Sequence, residues 1–234
     1  MTSTSSKFGS ARLWAGLLAG SIFLSVVVLS VLKQQLGRPG PDGDDIMRLV
    51  QVRDVLAGQG WVDLHQYRLG PDGGTLMHWS RIPDIPILLL TSLFDLFLPS
   101  ETALAWAITI WPPISLLIVM GGLALAVRNI GDGKLLVFTF IVALFILFGH
   151  FRFLSGAIDH HNLQLGFLAV AVGASLDRLV SPRNMILSAV MLALSVAVGA
   201  ELYPFVAVLC AFHAVDWALR GADIRNGTLA FGAA

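Results

Sequence analysis

Charged residues and cysteine are both scarce in this chain of 234 residues. Only 13% of the residues are Asp, Glu, Lys or Arg, whereas about a quarter of the residues of a soluble domain are charged. The charges sum to a formal net charge of zero, so no basic surface for nucleic acid is indicated. Cys210 is the single cysteine, which excludes an intrachain disulfide and a zinc site built from several cysteines. With 56% hydrophobic residues and a mean hydropathy of +0.78, the composition favours a membrane protein.

Six apolar stretches predict an all-α polytopic membrane protein with about six transmembrane helices. The segment 83–98 is also apolar, but it is short and holds two prolines and two aspartates, which favours an interfacial or re-entrant helix over a span. Residues 33–102 then form one large loop that carries amphipathic and interfacial helices. We expect residues 1–234 to form a single membrane domain and to be the N-terminal portion of a longer protein. The predicted spans are about 13–32, 103–127, 135–158, 163–176, 185–199 and 203–219.

The positions of the basic residues predict the side of the membrane on which each loop lies. If 83–98 does not cross, each short loop on one side carries two basic residues, namely Arg128 with Lys134, Arg178 with Arg183, and Arg220 with Arg225. Short cytoplasmic loops are enriched in Lys and Arg, so this side is the cytoplasm and the N-terminus is cytoplasmic. Loop 33–102 is then extracytoplasmic. The polar residues that share its side are Asp44, His78, Arg152, Asp159, His161 and Glu201.

A first acidic stretch lies near the start of the outer loop, at 41–45. Prolines and glycines at 39–43 prevent a helix before Asp44, and the pattern from 45 to 58 is helical. Asp44 is therefore either the N-cap of this helix or a carboxylate with a chemical role.

Other polar residues on the outer side each have two interpretations. His78 beside Trp79 is typical of an interfacial anchor. Arg81 can bind either a phosphate oxygen or a lipid headgroup. Glu201, just before Pro204, is either a helix-capping residue or a further carboxylate of the site.

The second acidic stretch is Asp159-His160-His161, at the outer end of a predicted span that also holds Arg152. Asp159 and His161 are two positions apart and can converge on one ion if the chain is extended there. Imidazole with carboxylate suits Mn²⁺, Zn²⁺ and Mg²⁺ in decreasing order. The alternative is an interfacial loop whose polar residues contact lipid headgroups, although ionisable residues near a membrane usually have a function.

These motifs resemble those of the catalytic subunit of oligosaccharyltransferases, in the GT-C class of membrane glycosyltransferases. In that family a first-loop aspartate is followed by a helix ending in Ala-Arg-Asp. Here Asp44 leads to Val52-Arg53-Asp54, with the same nine-residue step from Asp44 to Arg53. The second family motif is Arg-x-x-Ser-Gly-x-x-Asp-x-Asp, and archaeal members often end it in Asp-His-His and add a first-loop histidine as a metal ligand. The matching residues here are Arg152, Ser155, Gly156, Asp159 and His161, with His78 as the first-loop histidine.

The resemblance implies a GT-C-like fold and a metal-dependent transfer of a sugar or oligosaccharide from a polyprenyl-phosphate or -diphosphate carrier to an acceptor on the outer face. It implies the inner (plasma) membrane of a bacterium or archaeon, a lipid-linked sugar donor and membrane lipids as partners, and Mn²⁺ or Mg²⁺ as cofactor. The family's later spans, third acidic motif and Trp-Trp-Asp acceptor signature are absent, so the acceptor is not identified. The implied residues are Asp44, Asp159 and Arg152 for catalysis; Asp44, His78, Asp159 and His161 for the metal; Arg152 and Arg81 for the donor phosphate; and Asp45, His160 and Glu201 as additional candidates.

Two other classes of function remain open at this point. A small transporter would use the acidic and histidine residues to carry ions, and it should have ionisable residues near the middle of the membrane. The predicted spans hold few of them: His213 and Asp216 lie toward the cytoplasmic end of the last span, and Asp95 lies in the interfacial segment. A non-catalytic assembly subunit would need no active site, but it leaves the two acidic stretches unexplained.

Overall fold

The computed structural model describes residues 3–130, 133–149 and 151–234. The chain is mostly helical (71%), with almost no strand. A two-residue antiparallel pair, β1 (His65–Gln66) with β2 (Thr75–Leu76), and two 3₁₀ turns, Phe151–Phe153 and Gly221–Ile224, complete the regular structure of the described part. The helices are α1 (Ser3–Leu32), α2 (Gly43–Leu56), α3 (Asp84–Asp95), α4 (Ser100–Ile130), α5 (Gly133–Gly149), α6 (His161–Ser175), α7 (Pro182–Val198), α8 (Tyr203–Arg220) and α9 (Arg225–Ala233).

Two helical segments are long and apolar enough to cross a membrane, as judged by length and composition over the described residues. They are Ser100–Ile130, which is α4, and the segment Tyr203–Ala233, which comprises α8, the 3₁₀ turn Gly221–Ile224 and α9. Half of the apolar window of α4 is buried inside the protein, whereas only 6% of the window of Tyr203–Ala233 is buried. Two shorter apolar helical segments are Ala19–Leu32, within α1, and Pro182–Val198, which is α7. The count of six spans stays a prediction.

The helix boundaries differ from the sequence predictions in two places that affect the residues predicted to form the site. Helix α5 ends at Gly149 rather than continuing to 158, and after residue 150, which lies outside the described residues, the chain makes a 3₁₀ turn and a loop. This loop takes a left-handed backbone at Gly156, with φ +86°, which ends helical geometry. The N-cap of α2 is Asp42, whose carboxylate accepts the N–H of Asp44, so the capping role considered for Asp44 was wrong.

Helix α4 lies at the centre of the fold and packs against α3, α5 and α6, while α6 also packs against α7. Small residues allow α4 and α6 to approach closely. A Cβ atom added at Gly122 would overlap the backbone of Ala169, and one added at Gly173 would overlap the carbonyl oxygen of Gly122. Close backbone approach at glycine is a common way for helices to associate in membranes, where apolar burial alone gives little drive.

Gly122→Ala is therefore expected to destabilise the α4–α6 contact, by about 1–3 kcal/mol, the usual cost of overpacking. Gly121→Ala is the matched control, because the neighbouring position is also helical but has no atom within 4 Å of an added Cβ. Both changes raise helix propensity by the same amount. The difference between the thermal unfolding midpoints of the two variants in detergent therefore reports the steric overlap at Gly122 alone. Equal midpoints for the two variants would show that α4 and α6 do not pack at Gly122.

Candidate functional site

The start of the outer loop crosses the segment that follows α5 at two glycines. The N–H of Gly40 donates to the carbonyl of Gly156 at 2.7 Å, and the N–H of Gly156 donates to the carbonyl of Ile108 in α4 at 3.1 Å. A Cβ atom at Gly156 would overlap the carbonyl oxygen of Arg38. Backbone hydrogen bonds thus hold the segment around Gly40 against the segment around Gly156. The residues that follow each of these glycines are therefore brought together.

Two contacts join the two acidic stretches. The Arg152 guanidinium pairs with Asp42 at 3.0 Å and with Asp159 at 3.3 Å. The N–H of Asp159 donates to the Asp45 carboxylate at 2.9 Å. The structure thus connects the outer loop to the second motif through Asp42, which is the N-cap of α2, and Asp45, which lies in its first turn.

Asp159, His160 and His161 form a compact cluster at the start of α6. One ligand-type atom from each residue can be chosen so that all three lie within 4.8 Å of one another. The Nδ1 atoms of both imidazoles are hydrogen-bonded to the Asp159 carboxylate, that of His160 at 2.5 Å. Asp159 and His160 are buried, whereas the His161 side chain is 32% exposed. The cluster is therefore reachable from outside through His161.

Glu201, from the connection between α7 and α8, supports the far side of this cluster. Its carboxylate accepts a hydrogen bond from Gln164 at 3.1 Å and lies 3.1 Å from His160 Nε2. His160 is thus held between two carboxylates, which fixes its ring orientation. Gln164 is 1% exposed and also donates to the carbonyls of Gly199 at 2.9 Å and Ser195 at 3.4 Å, which hold its side chain in place.

The ionisation of these groups follows from burial and partners. Burial alone would raise the pKa of Asp159, but the hydrogen bonds from His160 and His161 outweigh it and hold the pKa below its usual range. Burial lowers the pKa of His160, but the contacts with Asp159 and Glu201 outweigh it and leave the pKa raised. Burial raises the pKa of Asp45 to about 6, and the negative charges of Asp159 and Asp42 add to the rise, which outweighs the hydrogen bond from the Asp159 N–H.

The raised pKa of Asp45 predicts a fall in stability as the pH rises from about 4 to about 6. In this window the folded chain binds more protons than the unfolded chain, so the free energy of unfolding falls with increasing pH. Asp45→Asn keeps an acceptor for the Asp159 N–H but does not titrate. The free energy of unfolding of Asp45→Asn minus that of the wild type should therefore increase by about 3 kcal/mol as the pH rises from about 4 to about 6. Above this window the difference should stay constant.

Thermal unfolding in detergent, with a chelator present at every pH, measures this difference. Chelation matters because an ion bound to a neighbouring carboxylate would add its own pH dependence. A difference between wild type and Asp45→Asn that does not change from pH 4 to pH 8 would show that Asp45 titrates normally.

The donor set of the cluster fits a divalent transition metal. It offers one carboxylate and two imidazoles, which suit Mn²⁺ and Zn²⁺ better than the harder Mg²⁺. Glu201 and Gln164 would then orient His160 from behind, as outer partners orient metal-binding histidines in many sites. The fit rests on the residue types and on their proximity.

The other two predicted metal ligands lie outside this compact cluster. Asp44 is half-buried in the first turn of α2, and its carboxylate makes no hydrogen bond within the described part of the chain. His78 is exposed, and its ring centroid lies 6.2 Å from that of Trp79, which in turn lies 6.0 Å from His160. The loop that carries His78 therefore borders the cluster through Trp79, and the ligand roles of Asp44 and His78 stay predictions.

Arg81 is not placed to bind a phosphate. Its side chain is 4% exposed, and its guanidinium makes five hydrogen bonds inside the outer loop, which is the full number that it can donate. The predicted phosphate role of Arg81 was therefore wrong for this conformation. Arg81 instead shares the buried carboxylate of Asp84 with Arg48 and holds the start of α3 against α2. The acceptors of its hydrogen bonds are Trp61, Gln51, Asp84, Gln59 and Asp63.

Sequence reasoning missed three residues that shape this region. Asp42 carries the ion pair with Arg152, and Gln164 carries the hydrogen bond to Glu201. Trp79 contacts both the Arg48 guanidinium, whose carbon lies 5.1 Å from its ring centroid, and the His160 ring, whose centroid lies 6.0 Å away. Asp42 precedes a helix start and so carried an N-cap signal, and Gln164 is a polar residue in an apolar stretch.

No protein-family model, no curated protein and no solved structure matches this chain.

Proposed function

We propose that this chain belongs to a metal-dependent glycosyltransferase of the GT-C type, embedded in the membrane by several spans with its N-terminus in the cytoplasm. The reaction is transfer of a sugar or oligosaccharide from a polyprenyl-phosphate or -diphosphate carrier to an acceptor on the outer face. The observation that supports it best is the connection of the outer loop to Asp159 through Arg152 and Asp45. Neither a lipid-facing loop nor a scaffold requires two acidic stretches, far apart in sequence, to meet in this way.

The roles of the residues follow from their positions. Asp159, His161 and His160 would hold the divalent ion, which when bound stabilises negative charge on the departing phosphate. Arg152 is 28% exposed and already lies against Asp159, so its guanidinium can contact phosphate oxygens on the same side. The bond between the sugar anomeric carbon and the phosphate oxygen breaks, and a bond from that carbon to the acceptor forms.

Asp44 is the residue that we assign to the acceptor. Its carboxylate is half-buried and makes no hydrogen bond to the described protein atoms, so it can orient the acceptor and take its proton. Asp45 is less suited to this role, because it is 1% exposed and already accepts the Asp159 N–H.

Calorimetry of the detergent-purified chain with Mn²⁺ and Mg²⁺ tests the proposal. The wild type should bind one ion, with Mn²⁺ bound more tightly, and the double variant Asp44→Ala/Asp159→Ala should not bind. Asp54→Ala is the control, because this carboxylate pairs with Arg68 on the exposed side of the loop. Binding that survives in the double variant would remove the proposed centre, and no binding in the wild type would favour a non-catalytic assembly subunit.

A further inference from the structure

A groove of about 520 Å³ lies at the end of α2 that is remote from the Asp159 cluster. It is bounded by the last turn of α2, by α3 and by the first turn of α4. Asp45, which contacts Asp159, is eight residues before Arg53, so the groove and the cluster are separated by about 12 Å along α2. The polar residues that line the groove are Arg53, Thr91, Ser92, Asp95, Ser100 and Glu101.

The charged groups of the groove have both signs. Arg53 pairs with Glu101 at 3.2 Å, and these side chains are 55% and 85% exposed. An exposed pair of this kind contributes little to stability, so a ligand can exchange with either partner at small cost. Asp95 is a second, exposed carboxylate on the same groove. The rim therefore offers one guanidinium for an anionic group and two carboxylates for a cationic group.

Helix α3 joins this polar groove to an apolar surface. Successive residues of a helix are rotated by about 100°, which places Ile85, Leu89 and Leu93 within a sector of about 80°. Leu89 is 66% exposed and Leu93 is 52% exposed, and Leu96, at the C-cap, is 72% exposed on the same side. Ser92 and Asp95, which line the groove, lie on the adjacent side of the helix.

The position of α3 along the chain places both surfaces at the membrane boundary. Asp95 ends α3, and α4 begins at Ser100 as one of the two helices suited to cross a membrane. An exposed apolar side along a helix of about three turns next to a span is a typical arrangement for a helix that lies in the lipid interface. The groove on its polar side then opens at the depth of the lipid headgroups.

We propose that this groove binds the headgroup of a phospholipid with a primary ammonium, of the phosphatidylethanolamine class, whose acyl chains lie along the apolar side of α3. Arg53 contacts the lipid phosphate, and Asp95 and Glu101 accept hydrogen bonds from the ammonium. The hydroxyls of Ser92 and Ser100 complete the polar lining. A headgroup with a quaternary ammonium has no N–H to donate to the carboxylates, so it should bind more weakly. An anionic headgroup without an ammonium leaves both carboxylates unpaired, so it should also bind more weakly.

Native mass spectrometry of the full chain from detergent, with added dioleoyl lipids, tests the proposal. Phosphatidylethanolamine should be retained several-fold more than phosphatidylcholine or phosphatidylglycerol. Arg53→Gln and Asp95→Asn should each abolish this preference, whereas Arg68→Gln, an exposed arginine that does not line the groove, should keep it. Equal retention of the three lipids, or an unchanged preference in Arg53→Gln, would overturn the assignment.

A second measurement tests the apolar side of α3 separately. In a Cys210→Ser background, a fluorophore at Leu93→Cys should be quenched by lipids that carry a spin label near the headgroup, and one at the exposed Asp72→Cys should not. Quenching at neither site would show that α3 does not lie in the bilayer. Neither experiment depends on metal binding or sugar transfer, so a failure here leaves the proposed glycosyltransferase function untouched, and the converse also holds.

Discussion

Asp159→Asn is expected to abolish Mn²⁺ binding and to lower sugar transfer by at least about 100-fold, because losing a metal ligand should cost no less than losing a group that only orients one. The Asp159 carboxylate is the only group that contacts Arg152, His160 and His161 together within the described part of the chain. An amide has one acceptor oxygen and no charge, so it cannot bind an ion between two imidazoles as a carboxylate can. The pKa of His160 should fall as well, because its main favourable partner is lost.

Asp42→Asn is the matched control for this experiment. It removes the other carboxylate that pairs with Arg152, and it keeps an N-cap side chain for α2, since asparagine caps helices as well as aspartate. We expect near-normal Mn²⁺ binding in this variant, with the measurement made by calorimetry at pH 7 and thermal unfolding followed in parallel. Full transfer activity in Asp159→Asn, with a normal unfolding midpoint, would show that the cluster is not the catalytic centre.

The helices of this protein could be predicted well because their signals are local. The apolar run 103–127 falls inside α4, and the helical pattern of 45–58 matches α2. Length and periodicity suffice for such elements, since each depends on the residues of its own segment. The end of α5 was missed because apolar residues continue to Ile158, while the turn depends on Gly156 contacting the outer loop.

The site was harder to predict because its contacts join residues far apart in the chain. Three carboxylates, Asp42, Asp44 and Asp45, lie within four positions, and shifting the helix start by two residues changes which of them turns inward. Arg81 illustrates the same limit: three of its acceptors are backbone carbonyls of other loop segments, which no side-chain motif reveals. The residue types therefore predicted which two stretches would form the site, and only the fold showed which of their side chains come together.

Gly156→Ala is expected to separate the two acidic stretches without removing any polar side chain. The residue has φ +86°, where an alanine is strained, and its Cβ would overlap the carbonyl oxygen of Arg38. Movement of the outer loop away from Gly156 relieves this overlap, and it lengthens the hydrogen bond from Gly40 and then the one from Asp159 to Asp45. We expect a loss of about 1–3 kcal/mol in unfolding free energy.

Gly43→Ala is the control, because Gly43 begins α2 in the same loop, has no positive φ and has no atom within 4 Å of an added Cβ. Both variants are compared by thermal unfolding and by Mn²⁺ titration. If the outer loop contributes to the centre, Gly156→Ala weakens Mn²⁺ binding while Gly43→Ala does not. If Gly156→Ala is destabilised but binds Mn²⁺ as the wild type does, the ion depends on Asp159, His160 and His161 alone. The catalytic role assigned to Asp44 then loses its structural basis, because that role requires the outer loop to stay beside the metal centre.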